Sequence, residues 1–250
     1  MIDRGKINVY DKIFYTQHQA GMLGSARAIL PIVLAHFRVR SAVDIGCGCG
    51  AWLHVLEDYG VTDVRGYDGE YVERSLLLID QTKFVPMDLR ENFNIGRRFE
   101  LALSLEVAEH LPKEFAEPFV ERLVKAAPNV LFSAAIPGQG GTHHVNEQWQ
   151  DYWRSIFKSF CYFPVDIVRP FIWGRADVEF WYQQNIVLYC SSEILEDNKV
   201  LVPVPDDISL NIVHPKLYEI KCEVRMGQAL RLLPALAWHS VRRRVGKCRP

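Results

Sequence analysis

The sequence predicts an α/β protein: a doubly wound, mostly parallel sheet of seven strands in a single domain. Three observations predict it. Short apolar strand segments alternate with helical stretches through the first half of the chain. A glycine-rich turn, Gly46-Cys47-Gly48-Cys49-Gly50, carries the first strand straight into a helix. Acidic residues stand at or just after the ends of successive strand segments, at Asp44, Asp68, Asp88 and Glu106. At 250 residues with 49% apolar side chains, the chain is long enough to bury one substantial core.

Residues 1–40 read as an N-terminal lid and helix. Ser25 is placed as the N-cap of a helix reaching Phe37, with Ile29, Leu30, Val33, Leu34 and Phe37 as its apolar stripe. The segment before it is either a lid, with Tyr15 and Gln17 reaching inward, or a surface arm. Residues 41–190 form the core domain. Its first strand holds Val43 and Ile45 around Asp44, and the glycines that follow let the backbone approach a ligand without Cβ clashes. Val64 to Tyr67 is the second strand, ending in Asp68, which lies 22 residues after Gly46. That is close to the separation of about 20 at which doubly wound folds place an acid on a ribose. Phe84 to Leu89 is a short third strand containing Asp88, with Pro86 marking an edge or an end. Leu101 to Leu105 is the fourth strand, Phe115 to Ala127 a helix and Val130 to Ile136 the fifth strand. The last two strands fall in Val165 to Val168 and Glu179 to Tyr189, after a helix containing Tyr152 and Trp153.

The glycine spacing G-x-G-x-G after an acid resembles motif I of the class I S-adenosylmethionine-dependent methyltransferases, whose sheet is Rossmann-like. The resemblance covers roughly residues 40–112. It implies a donor site formed by Asp44, Gly46, Cys47, Gly48, Asp68, Asp88, Leu89 and Leu105, with Asp68 on the ribose hydroxyls and Asp88 at the adenine amino group.

Glu106, Glu109 and His110 have the spacing i, i+3 and i+4, which gathers two carboxylates and an imidazole on one face of a helix. This E-x-x-E-H order resembles the divalent-cation segment of ubiquinone-pathway O-methyltransferases and of small-RNA 3′-end 2′-O-methyltransferases. The resemblance implies a metal set of Glu106, Glu109, His110 and a downstream histidine, here His144. A cation such as Mg²⁺ there would bind the oxygens of a diol and lower the pKa of the one to be methylated. A second reading keeps the site free of metal, with Glu109 as a brace and His110 as general base or substrate contact. Glu109, His110 and His144 are the candidate catalytic residues.

The Gly-rich polar loop after the fifth strand, Pro137 to Trp149, lies where open α/β sheets bind ligands. Together with Trp181-Tyr182-Gln183-Gln184-Asn185, its residues 140–149 resemble uncharacterised bacterial methyltransferases of surface-glycan and natural-product pathways. Tyr15, His143, Asn146, Gln148, Trp149 and Trp153 are the candidate substrate contacts, with Trp149 and Trp153 equally readable as core aromatics.

The expected activity is therefore O-methylation of a small hydroxylated molecule, a sugar or natural-product intermediate. The alternatives are RNA 3′-end 2′-O-methylation and a non-catalytic, donor-binding partner protein. A net charge of −1 supplies no basic field for nucleic acid. Six scattered cysteines without a C-x₂-C pair, no signal peptide and no apolar run of about 18 residues point to a cytoplasmic enzyme. Residues 191–250 read as a C-terminal extension. Its basic amphipathic tail, with Arg242, Arg243, Arg244 and Lys247, is a candidate contact for an anionic membrane surface or a partner protein.

Overall fold

The computed structural model describes residues 12–91 and 95–223. The chain divides into a unit of Met1–Ile212 and a second of Val213–Pro250. The first is built, in order, from α1 (Lys12–Leu34), β1 (Ser41–Ile45), α2 (Ala51–Asp58), β2 (Asp63–Asp68), β3 (Phe84–Pro86), β4 (Leu101–Leu105), α3 (Ala116–Ala126), β5 (Asn129–Ser133), α4 (Gln150–Ser159), β6 (Tyr162–Val165), α5 (Arg169–Ile172), α6 (Phe180–Asn185), β7 (Val187–Ser191) and α7 (Ser192–Asp197). The second unit's described helix is α8 (Pro215–Cys222), where His214 Nδ1 accepts a bond from the Lys216 N–H. The basic tail lies outside the described residues, so its membrane or partner contact remains an expectation from sequence.

The seven strands form one sheet in the order β3-β2-β1-β4-β5-β7-β6. Strands β1 to β5 run parallel, and β7 runs antiparallel to both β5 and β6. Alternation along each strand sends side chains to two cores. Leu101, Leu103 and Leu105 pack with Ile29, Leu30 and Val33 of α1 and with Leu53 and Leu56 of α2. Ala102, Val130 and Phe132 face the opposite way, onto Phe119 and Leu123 of α3 and Trp153 and Phe157 of α4. Burial on both faces explains why β4 and β5 read as unbroken apolar runs.

Two expectations change here. Ser25 is not an N-cap, because α1 starts a full thirteen positions earlier at Lys12. Its hydroxyl donates to the Gly21 carbonyl at 2.7 Å, one turn back, and accepts the Glu179 N–H at 3.0 Å. Gly24 permits that approach, since a Cβ there would stand 2.8 Å from the Asp177 carbonyl oxygen. The last strands are also shifted. Val168 leads into α5, whose first turn holds Pro170, so β6 ends at Val165. Residues 180–185 form α6, leaving β7 to begin at Val187. Tyr15 and Gln17 lie in α1, whose side chains are described from residue 19 onward. Among the described residues no helix is long and apolar enough to cross a membrane.

Candidate active site

The sheet's order reverses between β1 and β4, and a crevice opens at the carboxyl ends of such diverging strands. A cavity of about 1170 Å³ lies there. Its floor on the β1 side is made by the glycine turn. Gly46 has φ 89°, and a Cβ on it would stand 2.3 Å from Val107 Cγ2, so only glycine fits this bend. The Gly46 and Cys47 N–H groups both donate to the Tyr67 carbonyl, at 2.8 and 3.2 Å, which ties the turn to β2.

Asp44 and Asp68 are both buried and both line the cavity. Asp68 accepts from the Gly48 and Gly69 N–H groups, each at 2.7 Å, and from the Tyr71 hydroxyl. Burial raises the carboxyls of both residues above the usual range. For Asp44 the charge of Asp68 adds to the rise, whereas for Asp68 the bonds from Tyr71, Gly48 and Gly69 offset part of it. Asp88 also lines the cavity, ion-paired with Arg90 at 2.6 Å, and those bonds hold its carboxyl low despite some burial. Cys47, Gly48, Leu89 and Leu105 complete this end. Burial and the neighbouring Asp68 and Asp44 charges keep the Cys47 thiol protonated.

At the other end, the geometry of Glu106, Glu109 and His110 differs from the helical face expected of their spacing. Glu106 sits just past β4 at φ 55°, and only Ala108–His110 form a 3₁₀ turn. The Glu106 N–H is held by the Ser133 carbonyl at 3.0 Å and its hydroxyl at 3.1 Å, which ends the strand against β5. Glu106 is therefore directed to a different set of partners. Its carboxylate accepts from Asn185 Nδ2 at 3.1 and 3.3 Å and from Gln139 Nε2 at 3.1 Å. Gln139 Oε1 in turn accepts from Asn185 and from Gln184, both at 3.0 Å.

Glu109, His110 and His144 come together, with ligand atoms that all lie within 4.8 Å of one another. Glu106 is outside this group, so the expected four-residue metal set is three residues, with Glu106 held beside it by amides. Glu109 is fully buried. Its Oε1 accepts from the Ala135 N–H at 3.2 Å, and its Oε2 has no hydrogen-bond partner among the described residues. Burial, and then the charge of Glu106, push its carboxyl well up. Burial and His144 lower His110 to about 4, so its ring is neutral at neutral pH. The two imidazoles meet edge to face, 4.9 Å between centroids. His144 Nδ1 lies 3.0 Å from Glu147 Oε1, and the Glu147 carboxylate also accepts the Gly138 and Gly140 N–H groups at 2.7 Å each.

His143 lines the cavity, with φ 59° and an exposed side chain. The other expected substrate contacts from this loop do not line it. Trp153 is 2% exposed and packs 5.1 Å from Phe132, which makes it a core aromatic. Trp149 precedes α4 and faces solvent, and Asn146 is buried beneath the loop, accepting from Gln148 Nε2 at 2.9 Å. Their backbones explain the placement: the Asn146 N–H bonds Glu109 O and the Gln148 N–H bonds Ala135 O, so this half of the loop anchors and its other half faces the cavity. The lining aromatics are instead Trp52, Tyr71, Trp181 and Tyr182. Gln139, Glu147, Gln184 and Asn185 were not legible as site residues. Glu147 fell within the segment 140–149, and Gln184 and Asn185 within a run of three amides before an apolar strand, but neither pattern gave these side chains a role.

No family model and no curated protein sequence matches the chain. Among solved structures it is similar to the sugar N-methyltransferase KedS8 from Streptoalloteichus sp ATCC 53650, at 13% identity and a TM-score of 0.55, over 76% of this chain and 99% of that one. It is also similar to magnesium protoporphyrin IX methyltransferase from Synechocystis PCC 6803 with bound SAM, at 17% identity and a TM-score of 0.50, over 75% of this chain and 86% of that one. This is the class I methyltransferase fold. Its mixed seven-stranded sheet, with β7 inserted antiparallel between β5 and β6, is the shared feature. At these identities the likeness is one of class I architecture.

Proposed function

We propose that this chain is an S-adenosylmethionine-dependent O-methyltransferase that acts on a small molecule bearing neighbouring hydroxyls, a sugar or natural-product intermediate. The observation that carries this reading is that a single cavity joins the glycine turn with Asp44 and Asp68 to the group Glu109, His110 and His144.

The residues fit a sulfonium donor. The turn holds no side chain where Gly46 bends, and two buried carboxylates border it, suited to a ligand that carries hydroxyls, an ammonium and a positive sulfur. Asp68 would hold the ribose hydroxyls, Asp44 the methionine end, and Asp88 and Leu89 the adenine edge. When bound, the donor supplies the methyl carbon, and positioning against the acceptor oxygen can supply much of the acceleration.

The residues also fit a divalent cation. Glu109 offers a buried oxygen with no hydrogen-bond partner among the described residues, and His110, its Nδ1 3.4 Å from the His143 carbonyl oxygen, is held neutral. Two imidazoles with a carboxylate suit Mn²⁺ and its neighbours at least as well as Mg²⁺. A cation held there would lower the pKa of a bound hydroxyl and orient it. A pKa near 4 makes His110 a poor base, which leaves Glu106, outside the cation group but lining the same cavity, as the residue that would take the hydroxyl proton. The rim favours a small neutral acceptor over RNA: Glu70, Asp88 and Glu91 are acidic, and Arg90 is paired with Asp88.

The test is methyl transfer from methyl-labelled donor to a panel of vicinal diols, their single-hydroxyl analogues and short RNA. Incorporation into diols that stops with chelator and returns with Mn²⁺ or Mg²⁺ is the expected result. Transfer indifferent to chelator would remove the cation, and transfer to RNA alone would remove the small acceptor.

A further inference from the structure

We infer that Glu147 is a positioning residue: it fixes the ring proton of His144 on Nδ1, so that Nε2 is presented as a bare lone pair to a divalent cation. This rests on the cation reading of the site proposed above.

The argument starts from what Glu147 touches. Its two oxygens take three donors: the Gly138 N–H on Oε2, and the Gly140 N–H and the His144 ring on Oε1. A carboxylate receiving two backbone N–H groups is pinned in place and can act toward the third partner only as an acceptor. The nitrogen facing it must therefore carry the proton. A neutral imidazole has one protonated and one bare nitrogen, so fixing the first fixes the second. The neighbouring loop makes room for that second nitrogen at Gly141. Gly141 has no side chain, and a Cβ on it would stand 2.2 Å from His144 Nε2. Gly141, His144 and His110 all line the same cavity, with Glu109 behind them.

The sequence shows why a glutamate is needed. Gly138 and Gly140 both take positive φ, which turns their N–H groups toward the inside of the loop. A carboxylate seven to nine positions later closes it, and His144 lies three positions before that carboxylate. One side chain thus sets both the loop's shape and the ring's tautomer. Partners of this kind, bonded to the far nitrogen of a metal-binding histidine, typically change metal affinity or activity by about 10- to 100-fold when removed.

The test uses the full chain and two variants. Glu147→Gln keeps one oxygen for His144, whereas Glu147→Met fills the space without an acceptor. Long-range ¹H–¹⁵N NMR of metal-free, ¹⁵N-histidine-labelled protein reads the tautomer directly. Mn²⁺ titration followed by electron paramagnetic resonance reads affinity. The expected result is a proton on Nδ1 of His144 in the unmodified protein and in Glu147→Gln, and on Nε2 in Glu147→Met. Mn²⁺ affinity should fall about 10- to 100-fold in Glu147→Met, and by much less in Glu147→Gln. The inference is overturned if the unmodified protein carries the proton on Nε2, which needs no variant to fold. It is equally overturned if Glu147→Met keeps the proton on Nδ1, or loses the tautomer without losing Mn²⁺ affinity. Failure of the unmodified protein to bind Mn²⁺ would instead sink the cation reading, while the tautomer of the metal-free protein still judges Glu147.

Discussion

The two ends of the cavity are built by different means. The donor end rests on backbone: Gly46 at positive φ, N–H groups of Gly48 and Gly69 on Asp68, and a turn bonded to the Tyr67 carbonyl. The acceptor end rests on side chains bonded to side chains, among them Glu106 with Asn185 and Gln139, and His144 with Glu147. A backbone cradle tolerates little change at its glycines, since one added carbon meets Val107. A side-chain network can be altered one bond at a time, which is where differences of substrate would be expected to arise.

The largest expected effect breaks the donor end alone. Gly46→Val should abolish donor binding, seen as loss of heat in titration calorimetry, while far-UV circular dichroism shows whether the sheet survives. Next, Glu109→Gln should lower turnover on the order of 10²-fold and leave donor affinity unchanged, which separates the two ends. Asn185→Leu removes two bonds from the buried Glu106 carboxylate and should cost about 1–3 kcal/mol in denaturant unfolding, again sparing donor affinity.

A pH series sharpens the comparison further. Asp44 and Asp68 have carboxyls raised by burial, so they take up protons at a pH where ordinary carboxylates are ionised. Donor binding should therefore weaken as pH falls, at a higher pH than ordinary carboxylates would require, and calorimetry in buffers of differing ionisation enthalpy should show proton release. The same shift means the donor-free fold holds extra protons, so this contribution to stability is present at low pH and lost as pH rises through the raised values. The smallest effect is expected at Trp149→Ala. Its exposed ring is outside the cavity, so acceptor KM should be unchanged and unfolding free energy should stay within about 0.5 kcal/mol of the original value.

The donor end was legible in the sequence because its determinants are local. Val43 and Ile45 around Asp44, the alternate glycines and Asp68 state a strand, a turn and the end of the next strand in about 25 residues of chain. The sheet followed from the same alternation, apart from its last two strands, where Pro170 and the amides of α6 break the pattern that apolar residues imply. The acceptor end was legible as residues and not as geometry. Spacing placed Glu106, Glu109 and His110 on a helix, but Glu106 takes a left-handed turn held by Ser133, and its partner Asn185 is 79 residues away. Bonds of that span leave no periodic trace. Trp149, Trp153, Asn146 and Gln148 carried the right chemistry for a sugar, yet the Asn146 and Gln148 backbones are spent on anchoring the loop.

The central claim is that the crevice between β1 and β4 holds the methyl donor. The most direct measurement is the distance from the ribose hydroxyls to the Asp68 carboxylate in a crystal structure grown with S-adenosylhomocysteine. Hydrogen-bond distances there, with the sulfur on the side of Glu109 and His144, are the predicted result. A ligand bound elsewhere, or an empty crevice with the Tyr71 hydroxyl still on Asp68, would contradict it.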